Sequence, residues 1–179
     1  MQLASSEITR DLVLLGGGHS HAIALKLWGI DPLPGVRPIL ITETSHTPYS
    51  GMLPGYVAGF YDFDECHIDL RPLAGFAGAH LILDRVIGLD LKTNRVLCAN
   101  HPPISFDVLS INIGSTPATI AVPGAMEHAI PAKPVPQFLD RWHELVDLVG
   151  RSPQKTLNLG IVGGGAGGVE LALTMYARL

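Results

Sequence analysis

One device occurs twice in this chain of 179 residues, as LVLLGGGHSHAIAL at 12–25 and as LGIVGGGAGGVELAL at 159–173. Each copy runs from a short apolar stretch through a glycine cluster into a helix-like pattern. A continuous apolar stretch of this length reads as a strand buried on both faces, as in a parallel sheet. A glycine turn from such a strand into a helix lets a pyrophosphate approach the backbone. There the free N–H groups and the positive end of the helix dipole favour it. The bland alternative for either copy is an ordinary turn between strand and helix.

The second copy fits the GxGxxG spacing in full, with Gly163, Gly165 and Gly168. The first glycine allows the tight turn, the second the close approach of phosphate, and the third close packing of helix on strand. The first copy matches at Gly16 and Gly18 but has His21 at the third position. A side chain there should push the helix off the strand, unless the imidazole points elsewhere and Ala22 takes the contact. Glu43 follows twenty-five residues after Gly18, at the end of the next strand. An acidic residue at that place hydrogen-bonds an adenosine ribose; a solvated loop carboxylate is the competing reading.

Between the two copies the pattern is mixed α/β. Residues 11–15 and 38–42 read as strands around a helix over 20–29 that ends on Gly29, which makes a βαβ unit. Residues 45–61, rich in Ser, Thr, Pro, Gly and Tyr, read as a long ordered loop. LILDRVIGLDL and RVLCA around Lys92-Thr93-Asn94 suggest an antiparallel hairpin or meander, and FDVLSINI over 106–113 a further strand. Residues 135–149 form an amphipathic helix with Phe138, Leu139, Trp142, Leu145, Val146 and Val149 on one side. Residues 157–162 are expected to be a strand and 169–179 a helix.

Several function classes drop out. Apolar residues make up 47% and charged residues 16%, which argues against disorder. A formal charge of −4 without a basic run gives no footprint for nucleic acid. Cys66 and Cys98 form neither a disulfide framework nor a CxxC pair, and they read as reduced packing thiols. The start, MQLASSEITR, lacks the apolar core of a signal peptide, and no apolar run reaches membrane-helix length. A cytoplasmic location is expected, with peripheral membrane contact through other regions left open. His19 and His21 form an HxH pair with no third or fourth metal ligand at a recognisable spacing, so no metal is expected. Asp107 and Glu144 have no partner that suggests acid–base work, and no Ser-His-Asp arrangement emerges.

Four segments in order, VLLGGGHSHA with Glu43, PYSGMLPGYVAG, FDVLSINIGSTPATIAVPG and VGGGAGGVELA, span almost the whole chain. Together they resemble the FAD-dependent pyridine-nucleotide oxidoreductases, nearest the type II NADH dehydrogenase and sulfide:quinone reductase branch. GGGHSHAIAL and PYSGMLPGYVAG further resemble the flavoprotein module fused ahead of selenide, water dikinase in some bacteria. The resemblance implies a Rossmann-like FAD-binding domain over 1–150, with a parallel sheet and an antiparallel β-meander. The start of a second Rossmann-like, NAD(P)-binding domain would follow over 151–179.

The resemblance also implies site residues. Gly16, Gly18, His19 and Ser20 would hold the FAD pyrophosphate, Glu43 the ribose, and the Val86 backbone the adenine edge. Ser50, Gly51, Met52, Leu53 and Pro54 would lie near the flavin, with Met52 and Leu53 equally readable as core anchors. Gly114, Ser115 and Lys133 would approach the cofactor, and Gly163, Gly165 and Gly168 would receive NAD(P)H. Hydride would pass from nicotinamide to flavin and on to a quinone or other small acceptor, with no catalytic base required. Family members return to the FAD domain after the NAD domain, and this chain ends at Leu179, before that return. These residues alone are therefore expected to hold FAD weakly or not at all and not to turn over. The exposed apolar face of 157–179 would be covered by folding back or by a second copy, and a homodimer or a fused C-terminal domain is the expected partner. A regulatory nucleotide-binding module without turnover is the alternative, with His21 its best support. A protein using only the second glycine loop is a third reading.

Overall fold

The computed structural model describes residues 7–116, 122–152, 154 and 156–179. Residues 117–121 of the FDVLSINIGSTPATIAVPG segment lie outside the described residues. In chain order the elements are β1 (Arg10–Leu15), α1 (His19–Ile30), β2 (Val36–Thr42), β3 (His46–Pro48), a 3-10 turn (Ser50–Met52), α2 (Leu53–Ala58) and α3 (Phe63–Cys66). They continue as β4 (His67–Asp69), α4 (Leu70–Phe76), β5 (His80–Leu83), β6 (Val86–Asp90), β7 (Arg95–Cys98), β8 (Ile104–Ser105) and β9 (Val108–Ile111). Three helices close the series: α5 (Ala125–His128), α6 (Val135–Arg151) and α7 (Ala166–Arg178). The chain divides into two compact units, one of Met1–Thr47 with Ile68–Gly114 and one of Pro48–His67 with Ser115–Leu179.

In the first unit a four-stranded sheet has the order β5-β2-β1-β9. Every pair is parallel, with Leu14 opposite Leu40, Leu15 opposite Ile111 and Ile41 opposite Ile82. The continuous apolar runs follow from cover on both faces. Leu14 and Leu40 pack with Ala22, Leu25, Leu70 and Ala77 of the helical side. Val13, Leu15, Ile39 and Ile41 pack with Val96 and Cys98 of a three-stranded sheet, β6-β7-β8. That second sheet is the expected antiparallel hairpin, turning at Lys92-Thr93-Asn94. Asp90 closes the turn by accepting hydrogen bonds from the Lys92 and Thr93 backbones and the Thr93 hydroxyl. The LIL stretch at its head belongs instead to β5, parallel to β2.

Helix α1 does not stop at Gly29. It runs to Ile30, and a Cβ at Gly29 would collide with the Phe76 ring. This glycine serves helix-on-helix packing, not termination.

Asp84 ties β5 to the far end of the hairpin. Its buried carboxylate accepts from the backbones of Arg85, Asn100 and His101, from Asn100 Nδ2 and from His101 Nδ1. The His101 contact, then Asn100 and Arg85, holds the carboxyl well below its ordinary value of 3.8, against the opposing effect of burial. Asp69 is likewise held at about 2, chiefly by the Arg71 side chain and backbone. A depressed folded-state value means that stabilisation is complete above pH 3.8 and is lost as pH falls through the folded value. Asp84→Asn is expected to lower Tm at pH 7 by roughly 5–10 °C and to flatten the fall of Tm on acidification below about pH 4. Melting curves between those conditions check this; a variant as acid-sensitive as the parent would contradict it.

The second unit is helical. Its core joins Leu53 and Val57 of α2, Val135, Phe138, Leu139 and Trp142 of α6, and Leu171 and Met175 of α7. The amphipathic helix expected over 135–149 is thus present and slightly longer, as α6. The expected loop over 45–61 carries a 3-10 turn and α2 instead. Pro54 sits in the first turn of α2 and Gly59 ends it in the left-handed conformation, so residues that read as loop punctuation serve here as helix boundaries. Asp62 and Glu65 cap α3 reciprocally.

The strand expected over 157–162 is not formed. Residues 156–165 have no regular structure, and Val162 is 97% exposed. A strand exists through its ladder, and no neighbour pairs with this segment among the described residues. Helix α7 forms as expected, beginning at Ala166.

Candidate functional site: a glycine turn at the carboxyl end of a parallel sheet

β1 ends at Leu15, and the chain turns through Gly16, with φ 91°, before α1 begins at His19. The turn is stitched to both neighbouring strand ends. Gly16 N–H donates to Ile41 O at 2.7 Å, Gly18 N–H to Asn112 O at 3.2 Å, and Asn112 N–H to Leu15 O at 2.8 Å. No position in it has room for a side chain. A Cβ on Gly16 would strike the Asn112 carbonyl, one on Gly17 a Leu70 methyl, and one on Gly18 the Asn112 side chain. Gly18 occupies the N-cap, and no side chain caps α1. The first turn of α1 is thus left without a side-chain cap, the arrangement that suits a phosphate.

His21 resolves the mismatch in the first glycine pattern. It is only 3% exposed, with Nδ1 at 2.7 Å from Gly16 O and Nε2 at 2.9 Å from Ser110 Oγ. A carbonyl can only accept, so Nδ1 carries the proton and, in the neutral ring, Nε2 accepts from Ser110. The imidazole bridges the glycine turn to β9 and does not wedge the helix away. Ala22, buried against Leu14 and Leu25, takes the helix–strand contact. With both nitrogens engaged, His21 has none left for a metal. The sequence gives no sign of Asn112 or Ser110, since both act across a parallel pairing with a strand almost a hundred residues away.

The other expected site residues of this unit gather at the same sheet end. Glu43 follows β2 directly, is exposed, and makes no hydrogen bond or ion pair among the described residues. His19 and Ser20 open α1, and Gly114, with φ 79°, follows β9 with no atom near a Cβ built there. Val86 begins β6, half-buried against the sheet core.

In the second unit, Ser50, Gly51 and Met52 form the 3-10 turn, Pro54 lies in the first turn of α2, and Leu53 is buried in the core. Ser115 and Lys133 lie in irregular chain. Gly163 has φ 114°, Gly165 caps α7, and a Cβ on Gly168 would strike the Gly163 carbonyl. The turn-to-helix part of the second motif is therefore built, although its leading strand is not.

Other chemistry-bearing groups are committed elsewhere. Burial pushes the Cys66 thiol up, and Glu65 and Asp62 add to that; burial and then Asp84 do the same to Cys98. Neither is a thiolate at neutral pH. Asp107 accepts from the Asp11 backbone, and Glu144 pairs with Arg141. Ser45, His46 and Asp69 lie near one another without forming a triad. His46 Nδ1 lies 3.0 Å from Ser45 Oγ, but Nε2 is 3.8 Å from an Asp69 carboxylate already bound by Arg71, too far to orient the ring as a triad requires. No helix among the described residues is long and apolar enough to cross a membrane.

No family model matches the chain. The NADH dehydrogenase-like protein YutJ of Bacillus subtilis (strain 168) is 28% identical over 168 residues, covering 91% of this chain and 44% of that protein. NDH2 of Plasmodium falciparum in complex with RYL-552 superposes with a TM-score of 0.74 at 16% identity, covering 93% of this chain and 36% of that one. The same protein is also solved in complex with NADH. The sulfide:quinone oxidoreductase of Aquifex aeolicus superposes with a TM-score of 0.64 at 21% identity, covering 81% and 33%. The fold is that of the Rossmann-like FAD/NAD-binding oxidoreductases. The chain spans less than half the length of these relatives.

Proposed function

We propose that this chain is the front part of an FAD-dependent NAD(P)H oxidoreductase. In this reading residues 1–150 belong to its FAD-binding domain, and residues 151–179 open its NAD(P)-binding domain. The observation that carries it is the Gly16–Gly18 turn, closed to every side chain, at the mouth of an uncapped helix with Glu43 unpaired on the adjacent strand end. A pyrophosphate suits such a turn because glycines put no Cβ between it and the backbone N–H groups, and the Glu43 carboxylate is placed to accept from ribose hydroxyls. Gly163, Gly165 and Gly168 would serve the nicotinamide nucleotide in the same way. Bound flavin would supply the hydride chemistry; the chain supplies binding, orientation and exclusion of water. The buried, neutral thiols of Cys66 and Cys98 do not support a disulfide-reductase activity.

A quinone or other small molecule is the proposed acceptor, in keeping with the name of the Aquifex aeolicus relative. The attachment to selenide, water dikinase rests on GGGHSHAIAL and PYSGMLPGYVAG alone. The regulatory reading loses its main support now that His21 is seen to brace the turn.

Glu43→Gln tests the assignment. In the natural protein that carries this sequence, losing a charged hydrogen bond to ribose is expected to weaken FAD binding about tenfold, read by quenching of flavin fluorescence, with no change in Tm. Unaltered affinity would place the nucleotide elsewhere.

A further inference from the structure

The helical unit holds a cavity of about 360 Å³ that the proposed nucleotide sites do not use. Tyr61, Phe63, Trp142, Val57 and Val146 are among its lining residues, with the Phe63 ring stacked on that of His67 at 3.8 Å between centroids. Two polar features enter it. The Tyr56 hydroxyl and His143 Nε2 are hydrogen-bonded at 3.0 Å, and their rings meet edge to face with centroids 5.9 Å apart. The Arg178 guanidinium lies over Gly59 and forms no ion pair or hydrogen bond among the described residues. Asp62 also borders the cavity, but one of its carboxylate oxygens is spent on the Glu65 backbone as the cap of α3.

An unpaired guanidinium beside an aromatic slot is a receptor for a planar anion. The fork of N–H donors matches a carboxylate, and the walls cover a ring. The volume lies at the low end for small-molecule sites and admits one or two fused rings. Burial, then Cys66 and Asp62, pushes the Tyr56 hydroxyl up, so it stays a proton donor at neutral pH. We propose that this cavity binds a small aromatic carboxylate, its ring between Tyr61, Phe63 and Trp142, its carboxylate on Arg178 and its edge on the Tyr56–His143 pair.

The chain's two tryptophans make the test direct, because Trp142 lines the cavity and Trp28 lies in the other unit. The full chain, labelled with nitrogen-15, is titrated with benzoate. The Trp142 indole N–H resonance, assigned with Trp28→Phe, is expected to move saturably while that of Trp28 stays fixed. Benzamide, the same size without the charge, is expected to bind at least tenfold more weakly. Arg178→Gln, at an exposed helix end, is expected to weaken benzoate binding at least tenfold with the ligand-free Trp142 resonance unchanged as a check that the helical unit is folded. No saturable movement, equal binding of benzamide, or undiminished binding to Arg178→Gln would overturn the proposal. None of these outcomes depends on flavin, so the test stands apart from the proposed redox function.

Discussion

Gly16→Ala is expected to destabilise the chain by about 3 kcal/mol and, in the natural protein that carries this sequence, to abolish flavin binding. Two effects add. The φ of 91° at this position is one that a residue with a Cβ adopts only at a cost of about 1–2 kcal/mol. The new methyl would also strike a backbone carbonyl, that of Asn112, which is fixed by its own place at the end of β9. Relief requires the turn to move away from β9, and the donors aimed at phosphate move with it. Gly78→Ala is the control: its φ is 62°, but nothing lies within 4 Å of the added methyl. That variant should lose only about 1 kcal/mol and keep its flavin. Urea denaturation of both, with flavin content alongside, separates crowding from backbone strain. Equal losses in the two would show that the Asn112 contact does not matter.

His21→Gly sets the sequence pattern against the structure. Judged from the GxGxxG spacing alone, glycine at 21 completes the motif and should be harmless or helpful. The structure demands the reverse. The buried imidazole fills the gap between α1 and β9 and joins Gly16 O to Ser110 Oγ. Removing it leaves a cavity and takes a partner from each of two groups, and adds a flexible residue to the first turn of a helix. About 2–4 kcal/mol is expected to be lost. In the His21→Gly background, Ser110→Ala should then cost little, because its partner is already gone. A His21→Gly protein as stable as the parent would show that the ring is a passenger.

These two residues mark where reading the sequence works and where it stops. The β1–turn–α1–β2 unit was legible because continuous apolar runs and glycine spacing are local properties. So was the hairpin at Lys92-Thr93-Asn94, whose turn is closed by the nearby Asp90. The role of His21 was not, because its second partner, Ser110, reaches it only through the parallel pairing of β1 with β9. Residues 157–162 have an apolar strand pattern, yet a strand is a property of at least two segments and this one has no partner among the described residues. α2 was hidden for the opposite reason. Gly and Pro weighed as loop signals, whereas Leu53 and Val57, four apart and both buried, set its inward face. Of the expected site, the sheet-end group Gly16, Gly18, His19, Ser20, Glu43 and Gly114 comes together in one unit.

The most direct test of the central claim is the visible spectrum of the natural protein that carries this sequence, purified, incubated with FAD and then mixed with NADH without oxygen. The account predicts a bound-flavin spectrum that NADH bleaches, and no bound flavin in the Gly16→Ala protein. A protein that holds no flavin after incubation with FAD would contradict it.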